Sequence, residues 1–301
     1  MMHFRDSEEM SLALKHTNVS AMQVSRGAFL ATWMHHSLLD WSVQSISFEQ
    51  GHSVCSGDAP RDHHAFVIPL ARSAGFRLLG YDVSDTNFAV YAPGSEHTDT
   101  TTSGCREVVL VAPRTFNEVC EIEGRVLPRL GSHVTVGQLH SLSRLKAFLR
   151  HLDQSLTAIP PVASARALAD ALTRLLADAL PFQASDGAVT GRPKMPRSVI
   201  LKQIAAILDA NDGQPIYAGE LAKAVGISQA SLQRVFHELF GMPPARYLLL
   251  RRFYIARKRL RTKSADTVTE IASELGFWDH SRFSRTYRQL FGEAPSETLR
   301  R

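Results

Sequence analysis

Between about Ala28 and Ala112, short apolar runs (AFVIPLA, FRLLGY, FAVYAPG, EVVLVAP) alternate with polar clusters rich in Gly, Asp, Ser and Thr. Runs of this length bounded by turn residues predict an antiparallel sheet or barrel. From about Gln138 the period changes. Leu142, Leu145, Leu149, Leu152 and Leu156 fall three and four residues apart, an apolar seam on one helix. Pro160 and Pro161 close that helix, and a second run places Leu168, Leu172, Leu175 and Leu176 on a common face, so the spacing predicts a helical hairpin. We expect the seam to join two subunits; the alternative is that it covers the barrel. The stretch PFQASDGAVTGRPKMP has no apolar period and predicts a linker over 182–196. Beyond it the pattern is helical, with stop signals at 211–215, Gly226, 241–244, Gly276 and 292–295. The expected architecture is α+β in two domains. A β-rich sensing domain spans 1–137, a hairpin and possible dimer interface 138–181, and an all-helical domain 197–301.

The helical part contains a repeat. ELAKAVGIS aligns with EIASELGFW at an offset of 50, matching Ala222 to Ala272 and Gly226 to Gly276. The match resumes at an offset of 51, pairing Leu232 with Phe283, Arg234 with Arg285, Phe236 with Tyr287, and Phe240-Gly241 with Phe291-Gly292. A small residue where two helices cross, glycine at the turn and an apolar residue after it are the features of a helix-turn-helix. Two such units are therefore predicted, over 217–240 and 267–291. The second helix of each unit is the one that enters a DNA major groove. Helix 229–240 offers Gln229, Ser231, Gln233, Arg234 and His237 outward; helix 280–291 offers His280, Ser281, Arg282, Ser284, Arg285 and Arg288. Arg and Gln match guanine and adenine edges, whereas Ser and helix-start N–H groups suit phosphates. Between the units, PARYLLLRRFYIARKRLRTK predicts a connecting helix that holds the readers about one helical turn of DNA apart, roughly 34 Å. Its Arg251, Arg252, Arg257, Lys258, Arg259 and Arg261 are expected to strengthen non-specific attraction to DNA.

Charge agrees with this division. Residues 1–196 hold 17 Lys and Arg against 19 Asp and Glu, a net −2, whereas residues 197–301 hold 17 against 10, a net +7. A basic back half suits a polyanion. No apolar run approaches the roughly 20 residues of a membrane span, and MMHFRDSEEM lacks the form of a secretory signal, so a cytoplasmic protein is expected. Three cysteines, Cys55, Cys105 and Cys120, form no CxxC pair and are read as reduced thiols. His52, His63, His64 and His97 invite a metal reading, but adjacent histidines in a strand face opposite ways, and no metal is expected. Trp33, Trp41 and Phe88 are read as core rather than pocket.

The string IASELGFWDHSRFSRTYRQLFGEAPSETLR resembles the second-unit signature of the AraC/XylS family of transcription regulators. That signature runs from alanine through glycine-phenylalanine to phenylalanine-glycine-x-x-proline. Tyr287 stands where the family usually has phenylalanine, and Trp278-Asp279 follow the Gly-Phe pair. The resemblance covers about 100 residues. It implies a bacterial DNA-binding regulator, in the main an activator, with a cupin-like barrel in front that binds a small-molecule effector. Helix-mediated homodimerisation, RNA polymerase as a partner and association with the nucleoid when bound follow from the same resemblance. No catalytic residue and no cofactor are then expected. The alternatives are a repressor with the same DNA mode, or an enzyme of metal-barrel or thiol type fused to the DNA module. The known thiol fusion needs four zinc-binding cysteines, more than this chain has.

Overall fold

The computed structural model describes residues 1–14, 18–129, 131–155, 160–182, 197–211, 215–262 and 267–300. Leu156 and residues 183–196, most of the expected linker, lie outside the described residues.

The front half opens with β1 (Met2–Phe4) and α1 (Ser7–Ala13), then runs through β2 (Asn18–Gln23), β3 (Leu30–Leu38), β4 (Trp41–Gln50), β5 (Ser53–Asp58) and β6 (Ala65–Ala71). It continues with β7 (Arg77–Leu78), β8 (Tyr81–Asp82), β9 (Asn87–Tyr91), β10 (Glu96–Thr101), β11 (Arg106–Val111), α2 (Thr115–Ile122) and β12 (Ser132–Val136). One sheet has the order β1-β3-β4-β11-β6-β9-β12 and the other β2-β5-β10-β7-β8, with antiparallel pairing throughout. The larger sheet is buried on both faces. Val67, Ala89 and Tyr91 pack inward toward the second sheet, while Phe66, Ile68, Phe88, Val108 and Leu110 pack outward. Burial on both faces makes AFVIPLA and EVVLVAP continuous apolar runs instead of alternating ones.

The outward face is covered by α3 (Leu139–Ser155) and α4 (Val162–Ala179). Leu142, Leu145, Leu149 and Leu152 are at most 3% exposed and share one core with Leu172, Leu176 and the strands. This favours the alternative reading of the seam: its described leucines pack against their own sheet and cover the barrel. The apolar face of the larger sheet needs a cover, and the hairpin supplies it. Trp33, Trp41 and Phe88 are core, with the Trp41 indole donating to Thr173 Oγ1 at 3.2 Å. His64 is tied to Asn117 Oδ1 and the Pro128 carbonyl, and His63 to the Ala112 carbonyl. All three cysteines are free and buried.

The back half comprises α5 (Arg197–Ala210), α6 (Ala218–Val225), α7 (Gln229–Phe240), α8 (Pro244–Arg261), α9 (Val268–Glu274), α10 (His280–Phe291) and α11 (Pro295–Arg300). Their apolar faces form one cluster, joined by Met22, Val24 and Val54 from the smaller sheet. Among the described residues no helix is long and apolar enough to cross a membrane.

Candidate nucleic-acid interface

The two repeats fold alike because the same devices recur. α6 and α7 are joined at Gly226 (φ 74°), and the turn before α10 uses Gly276 (φ 74°), both in the left-handed region that a Cβ disfavours. Ala222 and Ala272, 2% and 0% exposed, sit where the paired helices cross. Each second helix begins at a side-chain cap: Ser228 Oγ accepts from the Ser231 N–H at 3.1 Å, and Asp279 Oδ1 accepts from the Arg282 N–H at 2.8 Å. Such caps satisfy a helix-start donor and are worth about 1 kcal/mol each. α7 buries Leu232, Val235, Phe236 and Leu239, and α10 buries Phe283, Tyr287 and Leu290.

The opposite faces carry the residues singled out from sequence. Gln229, Gln233, Arg234 and His237 on α7, and His280, Ser281, Arg282, Arg285 and Arg288 on α10, are exposed; Ser231 and Ser284 are half-buried. Ser231 is partly occupied, since Ser228 Oγ also bonds its hydroxyl at 2.9 Å. His280 Nε2 lies 3.0 Å from Ser273 Oγ, and Arg288 reaches Glu297 at 4.0 Å across exposed surface. Arg234, Arg282 and Arg285 make no ion pair among the described residues. Trp278, which sequence reading noted only as a departure from pattern, is 85% exposed immediately before the α10 cap.

The cations of α8 are placed differently from expectation. Arg257 is 7% exposed and meets Asp6 at 2.6 Å, Glu8 at 3.7 Å and Glu293 at 3.6 Å, with its guanidinium 4.5 Å from the Phe291 ring centroid. Arg261 binds Asp6 at 2.6 Å and Glu8 at 2.8 Å, Arg259 binds Glu274 at 2.8 Å, and Arg251 donates to the Leu208 carbonyl. Arg252 donates to the Leu275 carbonyl beside the Phe277 ring. Arg257, Arg259 and Arg261 are paired with acids of the same chain, so their expected contribution to DNA attraction is withdrawn, whereas Arg251 and Arg252 donate to neutral carbonyls and keep their charge, as does the exposed Lys258. Burial works to raise the Asp6 carboxyl, but Arg257, the Glu8 N–H and Arg261 hold it below its ordinary range. For Glu8 burial prevails over the same arginines, and its carboxyl is raised.

Tyr287 is accounted for by the same network. Its buried hydroxyl donates to Thr298 Oγ1 at 2.9 Å, and Thr298 donates to Glu293 at 2.8 Å, the acid that faces Arg257. A phenylalanine there could not make the first bond.

The front half grips the backs of both readers. Arg77 donates to the His237 carbonyl at 2.9 Å, Thr100 Oγ1 to the Leu239 carbonyl at 3.0 Å, and the Gly27 N–H to the Gln289 carbonyl at 3.1 Å. The Tyr254 hydroxyl of α8 accepts from the Gln23 N–H at 2.6 Å. Gly80 packs so closely that a Cβ would stand 2.9 Å from the Glu238 carbonyl oxygen.

A helix-turn-helix domain model matches residues 221–301. The probable thc operon regulatory protein of Rhodococcus erythropolis is 38% identical over 110 residues, 36% of this chain and 33% of that protein. The XylDLEGF operon transcriptional activator 3 of Pseudomonas putida is 35% identical over 102 residues, 33% of this chain and 31% of its own. A solved structure of a probable AraC family transcriptional regulator from Rhodopseudomonas palustris is 32% identical, covers 34% of this chain and 94% of that one, and has a TM-score of 0.31. The C-terminal segment is an AraC-type helix-turn-helix domain, similar to that of AraC/XylS-family regulators. This domain carries the DNA-binding helix-turn-helix pair, and the relatives matched through it are transcription regulators. The matched segment spans about a third of the length of these curated relatives.

Proposed function

We propose that the whole chain is a ligand-responsive transcription activator that reads two successive major grooves of double-stranded DNA with α7 and α10. The observation that carries this reading is the pair of side-chain-capped helices whose outward faces present Gln229, Gln233, Arg234, Arg282 and Arg285, the three arginines without an ion pair among the described residues. Arg and Gln there are placed for base edges, with Ser231, Ser281, Ser284 and the helix starts for phosphates. His237, His280 and Arg288 complete the two faces. The protein acts in the cytoplasm as a homodimer at promoters, associated with the nucleoid, with RNA polymerase as its second partner and a small molecule in the front half as effector. It uses no catalytic residue and no cofactor.

The test is footprinting of the full chain on the DNA upstream of its own gene at physiological salt, with unrelated DNA as competitor. Two protected contacts about one helical turn apart are expected. Protection that competitor abolishes would leave only charge-driven attraction and overturn the reading. Promoter output should fall when the gene is deleted; a rise would make the protein a repressor.

A further inference from the structure

The reading of the front half as a sensor, on which this inference rests, leaves the ligand open. Between the two sheets lies a cavity of about 40 Å³, room for roughly three waters. Met10 of α1 and Ala65 and Val67 of β6 make part of its wall apolar. Its polar wall is Gln44 of β4, Tyr91 of β9, His97 and Asp99 of β10 and Glu107 of β11, with no lysine or arginine among the lining residues.

The two carboxylates differ in how they are held. Asp99 accepts from the Leu79 N–H at 2.9 Å and from the Tyr91 hydroxyl at 2.5 Å, so each oxygen has a donor. Glu107 is 6% exposed, and its Oε2 has no hydrogen-bond partner among the described residues. Nδ1 of His97, 8% exposed and stacked on Tyr91, has none either. A buried carboxylate oxygen without a donor is costly, and a second carboxyl beside it compounds the cost. We infer that this cavity binds a compact organic cation, an ammonium or amidinium group on a few heavy atoms, whose N–H groups supply the donors that Glu107 lacks and whose charge balances the carboxyl pair. Among the described residues an anion would meet two acids and no lysine or arginine. A neutral ligand would leave Glu107 protonated and release no proton on binding.

The site is also a proton exchanger. Burial, and then the neighbouring Asp99, push the Glu107 carboxyl up to about 8. Empty, Glu107 therefore keeps its proton at neutral pH, and a cation must expel it. The other titratable groups in the wall are Asp99, raised by burial, His97, lowered by burial, and Tyr91 and Cys55, both raised by burial. Tyr91, Cys55 and His97 thus stay neutral near pH 7, and α1, β4 and β6 contribute no titratable group to the wall.

The experiment is calorimetric titration of the full chain, its DNA footprint verified first, with methylammonium, propylammonium and guanidinium chlorides at pH 6, 7 and 8. Propan-1-ol and sodium propionate serve as neutral and anionic counterparts. At least one cation should bind in the roughly 0.1–10 mM range set by so few heavy atoms. Its affinity should rise about tenfold from pH 6 to 7 and less toward 8, with close to one proton released. Glu107→Gln, which keeps the shape and removes the charge, should weaken the cation at least tenfold and remove the pH dependence; a cooperative melt confirms that this variant is folded. Equal binding of propanol, pH-independent binding, no binding by any of the three cations, or unchanged affinity in Glu107→Gln each overturns the inference. Loss of the footprint in a chain that still binds the cation would count against the DNA reading instead.

Discussion

Arg257 and Arg285 are both arginines of the basic domain, the first buried among acids and the second exposed, and opposite effects are expected of their replacement. Arg257→Met keeps the alkyl stem near Phe291 and removes a guanidinium that lies, 9% exposed, among Asp6, Glu8 and Glu293. Removing one partner of a buried pair typically costs about 3–5 kcal/mol. Because Arg261 still holds Asp6 at 2.6 Å, the lower end applies: about 3 kcal/mol, or a fall of roughly 6–12 °C in Tm for a chain of this size. The salt dependence of non-specific DNA binding should not change, since this charge is neutralised within the protein. Arg285→Ala should do the reverse. Stability should stay within about 0.5 kcal/mol, while specific binding weakens by about 1–3 kcal/mol if a base is contacted, or the salt slope falls by about 0.9 if a phosphate is. The assays are thermal unfolding followed by circular dichroism, and DNA titrations at several salt concentrations. Acid supplies a further check. Asp6, held below its ordinary 3.8, contributes stability above that value and loses it as pH falls through its folded-state value, so the gap between Arg257→Met and the parent should narrow in strong acid. A variant at 257 that melts like the parent and binds DNA with a shallower salt slope would refute the reasoning.

Three further outcomes are expected. Trp33 and Trp41 are 4% and 3% exposed against 85% for Trp278, so acrylamide should quench chiefly Trp278, and saturating operator DNA should shield it; equal quenching with and without DNA would remove it from the interface. Leu149→Ala, at a position 1% exposed between hairpin and sheet, should lose about 2–5 kcal/mol with no change in mass by light scattering, and a shift in oligomeric state would restore the seam as a subunit contact. Glu107→Gln should be more stable than the parent at pH 8 and nearly equal to it at pH 5, because a carboxyl raised from 4.5 to about 8 on folding destabilises progressively as pH climbs between those values; parallel pH profiles would contradict this.

The repeat was legible because it is local: glycine at the turn, alanine at the crossing and apolar residues three and four apart are each dictated within one unit, and α7 and α10 run over the residues the periodicity assigned. The strands of the front half were legible as a region, since apolar runs between turn residues reflect burial of each strand separately. β1, α1, α2 and β12 escaped, being three, seven, eight and five residues long and too short for a period to accumulate. The seam of α3 was seen, but a leucine stripe states only that something apolar faces it, not whether that is a sheet of the same chain or a second chain. Arg257 and Arg261 of α8 were misread because their partners are remote. Asp6 lies 251 residues before Arg257, a pairing that only the tertiary fold brings together. The Glu107 site escaped for a related reason: one acid in EVVLVAP looks like the polar end of a strand until the sheet turns it inward.

The front half touches the reading helices through elements that also wall the cavity. In β10, Asp99 faces the cavity, and Thr100, the next residue and so on the opposite face, donates to the Leu239 carbonyl near the end of α7. In α1, Met10 lines the cavity one turn after Ser7 and Glu8, which with Asp6 hold Tyr254, Arg257 and Arg261 of α8. The carbonyls gripped on α7 and α10 belong to their last turns, where His237 also accepts from the Gly241 N–H of the cap. The clasp therefore holds the readers from behind and leaves their starts and outward faces free. It ties α7 and α10 to one frame, which the proposed reading of two grooves requires. A ligand can bias that orientation only by its difference in affinity between two arrangements of the clasp. The buried ionic cluster on Arg257 is costly to part, whereas the contact from Arg77 to the His237 carbonyl is exposed. The α7 end is held as well by the buried Thr100 bond and by the close approach of Gly80 to the Glu238 carbonyl, so the clasp is tight at both α7 and α8 and any ligand that loosens it must offset both.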